Sequence, residues 1–229
     1  MPDRGTQSAI PADRASRVEF IKNNTRLQST NLVPELQLYL ADESIAIWEK
    51  TEEELGQMNL PPPFWAFAWA GGQALARFIL DDPSVVAGKR ILDLGSGCGI
   101  VSIAAMRAGA SKAIAADVDA FAMISAEVNA AANSVVLEPT DRDLLDEEAD
   151  DFEIVMVGDL FYEDLLSKRV IGFMQRASQK GLSVLVGDPR RSYFPKHMFD
   201  CIAQYDVPVT RELEDNEIKR AAVWKMRTA

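Results

Sequence analysis

The sequence predicts an α/β fold: a seven-stranded sheet of five parallel strands plus a C-terminal antiparallel hairpin, carrying a small N-terminal helix/hairpin extension. Three observations predict it. From residue 63 onward, short apolar runs alternate with helix-length amphipathic stretches, as in parallel strands joined by crossover helices. The run Ile91-Leu92-Asp93-Leu94 ends in a glycine-rich turn that opens directly into a helical pattern. The chain has 229 residues, 48% hydrophobic and 26% charged, which suffices for one core and is too polar for a bundle of membrane spans.

The elements follow in order. Residues 1–62 read as an extension: a polar start, a short helix from Ala12 to Asn23 with Val18, Phe20 and Ile21 on one side, and a hairpin. The hairpin strands are expected at Leu36 to Leu40 and at Ile45 to Trp48, around the turn Asp42-Glu43-Ser44. Pro61-Pro62-Pro63 marks the boundary, because three prolines remove backbone donors and push the preceding residues out of helical geometry. Residues 63–229 hold the main domain. Its helices are expected at Trp69 to Leu80, Ile100 to Ala108, Ala120 to Ala132 and Tyr162 to Lys180. Parallel strands are expected at Arg90 to Leu94, Ala113 to Asp117, Val135 to Leu137, Phe152 to Val157 and Leu182 to Val186. The closing hairpin spans Asp206 to Leu213 and Lys219 to Lys225 around the turn Glu214-Asp215-Asn216-Glu217.

Charge and residue counts exclude several chemistries. Lys plus Arg is 24 against 35 Asp plus Glu, a formal charge of −11 that repels a phosphate backbone, so direct nucleic-acid binding is not expected. Cys98 and Cys201 are the only cysteines and His197 the only histidine. That rules out a disulfide framework, a Cys-ligated zinc site and His-based nucleophilic triads within the chain, and no metal site is expected. The N-terminus lacks a signal-peptide apolar core and mixes acids with its basic residues, which points to a cytoplasmic protein with no membrane partner.

The chemistry starts at ILDLGSGCGI, residues 91 to 100. Gly95, Gly97 and Gly99 let the backbone turn sharply and let a ligand approach where a Cβ would collide. Asp117 ends the next strand, 22 residues past Gly95, where a carboxylate can accept both hydroxyls of a ribose. A dinucleotide fingerprint wants Gly-x-Gly-x-x-Gly. Here the third glycine comes one residue early and Asp93 sets a negative charge beside the turn, which opposes a pyrophosphate and suits a cationic ligand such as S-adenosylmethionine. The pattern resembles the first two motifs of the Rossmann-like, seven-stranded S-adenosylmethionine-dependent methyltransferases. That resemblance implies a carboxylate against the adenine amine as well. Asp143 is the candidate, although it stands in an acidic run that reads equally as a solvated loop.

Asp159-Leu160-Phe161-Tyr162 follows the buried strand EIVMVG. Methyltransferases acting on amides or exocyclic amines often carry Asn-Pro-Pro-Tyr here, which this sequence lacks. The acidic residue, two variable residues and an aromatic resemble the pattern of the protein-lysine methyltransferases called family 16. A lysine ε-amine must shed its proton before attack, and a carboxylate with aromatic walls can orient the neutral amine toward the methyl group. A strand-end Asp also serves as a helix cap. Pro61 to Gln73 puts Trp65 and Trp69 four apart, on one face if helical. Together with VPELQLYLA (Val33 to Ala41), LGSGCG, DLFYE and GDPRRSYFP (Gly187 to Pro195), this segment closely resembles the electron transfer flavoprotein β-subunit lysine methyltransferases, including their bacterial relatives, over residues 30 to 226.

The resemblance implies an S-adenosylmethionine-dependent protein-lysine methyltransferase. Asp93, Gly95, Gly97 and Asp117, with Asp143, are then expected to hold the cofactor, Trp69 to cover it, and Asp159 with Tyr162 to face the lysine. Arg190 and Arg191 are expected either to stabilise their loop or to meet acidic groups on the substrate. The substrate implied is the β-subunit of electron transfer flavoprotein. A ribosomal-protein lysine methyltransferase, a small-molecule methyltransferase and a non-catalytic nucleoside-binding module are the alternatives.

Overall fold

The computed structural model describes residues 13–41, 62–208 and 218–227. Helix α1 (Arg14–Asn24) is capped by Asp13, whose carboxylate accepts from the Ser16 amide. Strands β1 (Arg26–Gln28) and β2 (Leu38–Leu40) form an antiparallel pair. A 3-10 turn, Phe64–Ala66, precedes α2 (Ala70–Asp81). Then come β3 (Arg90–Leu94), α3 (Ile100–Arg107), β4 (Lys112–Ala116), α4 (Ala120–Ala132), β5 (Glu138–Thr140), β6 (Ile154–Gly158), α5 (Asp164–Gln179), β7 (Ser183–Asp188), β8 (Phe199–Pro208) and β9 (Ile218–Met226).

The sheet order is β5-β4-β3-β6-β7-β9-β8, parallel from β5 through β7 and antiparallel at β9 and β8. The α/β class and the seven-strand count are as expected. Alternate residues of the central strands feed opposite layers. Ile91, Met156 and Leu185 pack with Leu75 and Ile79 of α2 and Ile103 of α3. Leu92, Val155 and Val184 pack with Val170, Phe173 and Met174 of α5. Because both faces are covered, these strands read as unbroken apolar runs. No helix among the described residues is long and apolar enough to cross a membrane.

Several elements differ from expectation. The fifth parallel strand is Glu138–Thr140, not Val135 to Leu137: residues 133–137 turn the chain off α4, with Ser134 at φ +57° and Val136 exposed. As an edge strand, β5 tolerates Pro139 and needs no apolar run. Strand β8 starts at Phe199 rather than Asp206, since one side of this edge faces solvent and its residues are mostly polar or exposed. Most of the expected Asp206 to Leu213 strand beyond Pro208, with its turn, lies outside the described residues. Leu38–Leu40 pairs with Arg26–Gln28 rather than with Ile45 to Trp48, which also lies outside them. Thr25 ends α1 by donating to the Ile21 carbonyl, and the chain then doubles back.

The N-terminal layer is stitched to the sheet domain by two asparagines of the α4 end. Asn129 Oδ1 accepts from the Tyr39 amide at 2.6 Å, and Asn133 bonds both the amide and the carbonyl of Gln37 at 3.0 and 2.6 Å. Ile21, Trp65 and Phe121 form a small core there, with the Trp65 ring stacked on Phe121 at 5.7 Å.

Candidate active site

Strand order reverses at β3, whose neighbours β4 and β6 lead away in opposite directions. The carboxyl ends of these three strands therefore open a crevice. A cleft of about 520 Å3 lies there, sized for a nucleoside-class ligand. Its walls include Trp69, Gly95, Gly97, Asp117, Asp143, Asp159 and Tyr162, so seven of the eight expected site residues converge. Asp119, Glu163, Arg142 and Arg191 join them. A wider depression of about 690 Å3 beside Phe199, Trp224 and Arg227 lies open to solvent and has no glycine turn on its wall.

The glycine turn leaves β3 with positive φ at Gly95 and Gly97, +68° and +50°. At φ +68° a Cβ at Gly95 is strained whatever the space around it, and it would also displace the Leu160 side chain, 2.5 Å away. The Gly97 amide donates to Asp117 Oδ2 at 2.9 Å, and the Asp119 amide donates to Asp117 Oδ1 at 3.0 Å. Burial raises the Asp117 carboxyl above its ordinary value. Asp93 does not reach the cleft. Its Oδ2 accepts from the Ser102 amide at 3.0 Å and hydroxyl at 2.7 Å, so it caps the first turn of α3 from behind the loop. The strand alternation explains this, because Asp93 shares a face with Ile91, toward α3.

Asp143 stands on the rim, where the Arg169 guanidinium (2.9 Å) and the Leu145 amide (3.1 Å) bond its two oxygens. Arg169 holds its carboxyl below the usual range. Trp65 and Trp69 are not on one helical face. Trp65 belongs to the 3-10 turn, while Trp69 is the residue preceding α2 and donates its indole N–H to the Phe64 carbonyl at 3.0 Å. Phe64 lies 5.8 Å from Trp69 and 5.5 Å from Tyr162, which gives the cleft an aromatic wall.

Asp159 is buried at the end of β6 and adopts φ +57°, which is costly for a residue with a Cβ. The surrounding bonds determine it. Its amide donates to the Gly187 carbonyl, its Oδ2 accepts from the Gly72 amide at 2.8 Å, and its Oδ1 accepts from Arg191 Nη2 at 2.9 Å and Nε at 3.2 Å. Trp69 supplies no side-chain cap for α2, so Asp159 caps that helix from across the sheet. Arg191 reaches the same carboxylate with its guanidinium carbon 5.6 Å over the Trp69 ring. Arg191, expected to steady its loop or to meet acidic groups of the substrate, instead pairs with an acid of the cleft itself, and Asp119 was not expected in the site. Asp119 carries a visible signal, an Asp placed to cap the helix that begins at Ala120.

Five carboxylates and two arginines line the cleft. That balance suits a cationic ligand and disfavours a pyrophosphate. Burial, reinforced by the Asp117 charge, pushes Asp119 up to about 6. Burial pushes Asp93 up to about 6, and burial with the Asp159 charge pushes Asp188 up to about 7. These three groups bind protons more tightly in the folded than in the unfolded chain. The stability they contribute is complete below the ordinary carboxylate value of 3.8 and is lost as pH rises through 6 to 7. Glu35 and Asp143, lowered by arginines, act oppositely but only at more acid pH. Thermal denaturation of the ligand-free protein is therefore expected to give a lower midpoint at pH 8 than at pH 5.5. Asp119→Asn keeps the helix cap and removes one of these titrations, flattening the decline between these two pH values by about 1 kcal/mol. A midpoint that rises over this range would contradict the assignment.

A family model described as ribosomal protein L11 methyltransferase (PrmA) matches residues 74–158. The chain is 35% identical over 213 residues to the electron transfer flavoprotein β-subunit lysine methyltransferase of Danio rerio, covering 90% of this chain and 81% of that protein. It is 33% identical over 212 residues to the Homo sapiens protein of the same name, covering 90% and 80%. The chain belongs to the electron transfer flavoprotein β-subunit lysine methyltransferase family. The crystal structure of a ribosomal protein L11 methylase from Lactobacillus delbrueckii shares the fold, with a TM-score of 0.51 at 20% identity over 69% of this chain and 79% of that one. As a methyltransferase of this family, the enzyme takes S-adenosylmethionine as its cofactor, and an acidic, phosphate-averse cleft is consistent with an ammonium and a sulfonium on one ligand.

Proposed function

We propose that this enzyme transfers methyl groups from S-adenosylmethionine to lysine ε-amino groups on the β-subunit of electron transfer flavoprotein. The observation that carries the reading is the position of Asp159: a buried carboxylate at the cleft floor, fixed by three donors and flanked by Tyr162, Phe64 and Trp69. S-adenosylmethionine supplies an activated methyl group that needs no covalent help from the protein. Gly95, Gly97, Asp117 and Asp143 bind the cofactor, and Trp69 covers it. Asp93 serves by holding the glycine turn against α3. Asp159 orients the acceptor amine after its proton leaves for solvent, and Tyr162 with Phe64 forms the aromatic wall of the lysine channel. Residues 63–229 form the methyltransferase domain and residues 1–62 its extension. The net charge of −11 supports a protein rather than a nucleic-acid substrate.

A ribosomal-protein substrate is the competing reading, because the L11 methyltransferase model matches the chain. Its match ends at residue 158, one residue before Asp159. It therefore spans the nucleoside half of the cleft, which methyltransferases of many substrates share, and stops short of the acceptor half. Radiolabelled S-adenosylmethionine incubated with the enzyme and with extract from cells lacking it separates the two. Label on lysines of the flavoprotein β-subunit, located by mass spectrometry, is the expected result. Label on ribosomal proteins replaces the partner, and label on small amines alone overturns the reading.

A further inference from the structure

Asp159 has a second carboxylate beside it. Gly158 and Gly187 are in register at the ends of β6 and β7, so the residues that follow them, Asp159 and Asp188, lie side by side. Asp188 is fully buried. Its Oδ1 accepts from the Arg191 amide at 2.7 Å, while its Oδ2 is buried without a hydrogen-bond partner. Arg190, at φ +69°, bends the chain so that the Arg191 side chain returns to Asp159 rather than to Asp188. One guanidinium thus faces two carboxylates, bonds one of them with two nitrogens, and leaves the other with an empty oxygen.

We propose that Arg191 is a positioning residue that assigns the negative charge of the Asp159–Asp188 pair to Asp159, leaving Asp188 as the carboxyl that holds the proton. Two carboxylates this close share a proton unless a cation intervenes, and the one with the cation stays charged. Burial and the Asp159 charge push Asp188 up to about 7, in keeping with the proton residing there. The other groups facing Asp159 do not perform this sorting. Packed against it, α2 presents backbone amides, its first titratable side chain being Arg77, which pairs with Glu35 and Asp81. The loop after β6 brings Tyr162 and Glu163, and β4 brings Asp117; the acids among them add negative charge and supply no cation.

The inference rests on lysine methylation as the reaction, because it concerns which group meets the acceptor amine. Its test is the pH profile of kcat/KM for methylation of the flavoprotein, with cofactor affinity measured by calorimetry for each variant. In the native enzyme, log kcat/KM is expected to rise with unit slope through neutral pH as the lysine deprotonates, steepening only at acid pH where Asp159 titrates. Arg191→Gln is expected to move that steepening upward by several pH units, to about pH 8, so that activity falls about tenfold at pH 7 and returns toward the native value by pH 9. Arg191→Lys keeps the charge and the native break. Asp188→Asn alone retains activity within about twofold, and in the Arg191→Gln background it moves the break back down.

A loss in Arg191→Gln that is the same at every pH overturns the proposal, as does a double variant whose break stays high. If Arg191→Gln does not fold, Asp188→Asn decides alone: more than about a tenfold loss at pH 7 means that the Asp188 charge is required and the sorting is wrong. Unshifted profiles in an enzyme that methylates lysine overturn this inference only, whereas a native enzyme that labels no lysine overturns the lysine reading together with it.

Discussion

Asp159→Asn is expected to lower kcat for lysine methylation by about 10^2- to 10^4-fold while S-adenosylmethionine affinity stays within a few-fold of native. Asparagine preserves the shape and tolerates the left-handed backbone at φ +57°, and its carbonyl still accepts from the Gly72 amide. The charge is removed, and the NH2 that replaces Oδ1 no longer accepts from Arg191. Breaking a buried ion pair costs about 3–5 kcal/mol when the surviving charge has no other partner. Here Asp188 lies within reach of the Arg191 charge and is left to balance it, so a stability loss nearer about 1–3 kcal/mol is expected. Asp159→Ala is the poorer test, because it adds left-handed strain and leaves the first turn of α2 uncapped. Single-turnover methylation with labelled cofactor, alongside a thermal midpoint, separates chemistry from folding. Native-like turnover in Asp159→Asn would reduce this carboxylate to a cap for α2 and return the site to the reading of a nucleoside-binding module.

That carboxylate was legible in the sequence because its signal is local: an apolar strand, then an acid and an aromatic three residues apart. The glycine turn and Asp117 were legible for the same reason. What stayed hidden depends on residues far apart in the chain. Arg191 meets Asp159 across 32 residues, and its motif gives a loop but not the direction of the guanidinium. Strand β2 chose β1 as its partner, and no periodicity within Leu38–Leu40 encodes that choice. The two edge strands β5 and β8 were misplaced because an edge needs no apolar run, so the signal that revealed β3, β6 and β7 is absent there. Asp93 was assigned to the ligand on motif chemistry alone. The alternation of β3 already pointed it toward α3, and that physical signal was the better guide.

Adjacent glycines at the start of α2 are expected to respond to alanine with opposite signs. At Gly71 an added Cβ would overlap the Gly187 carbonyl oxygen and come within 2.6 Å of Asp159 Oδ2. Neither neighbour can step aside: Gly187 is fixed in the β7 ladder, and a Cβ on Gly187 would in turn overlap the Gly71 carbonyl, so the helix start and strand end touch backbone to backbone. Overpacking a core costs about 1–3 kcal/mol when side chains can shift, and displacing backbone puts Gly71→Ala at or above about 3 kcal/mol, a midpoint drop near 10 °C. Gly72 faces the other way. Its nearest neighbour would be Ile100 Cγ2 at 3.4 Å, an ordinary contact, and its φ is helical. Gly72→Ala then restricts the unfolded chain without a clash and is expected to stabilise by about 0.5–1 kcal/mol. The difference also reaches the chemistry, because Gly71→Ala pushes directly on the carboxylate proposed to meet the lysine, whereas Gly72→Ala leaves the amide that bonds it in place. Urea unfolding and methylation rates of the two variants, measured together, are expected to show Gly71→Ala losing both stability and turnover and Gly72→Ala losing neither. Two variants shifted in the same direction would mean that α2 does not meet β7 at this point, and the support for Asp159 built on that contact would fall with it.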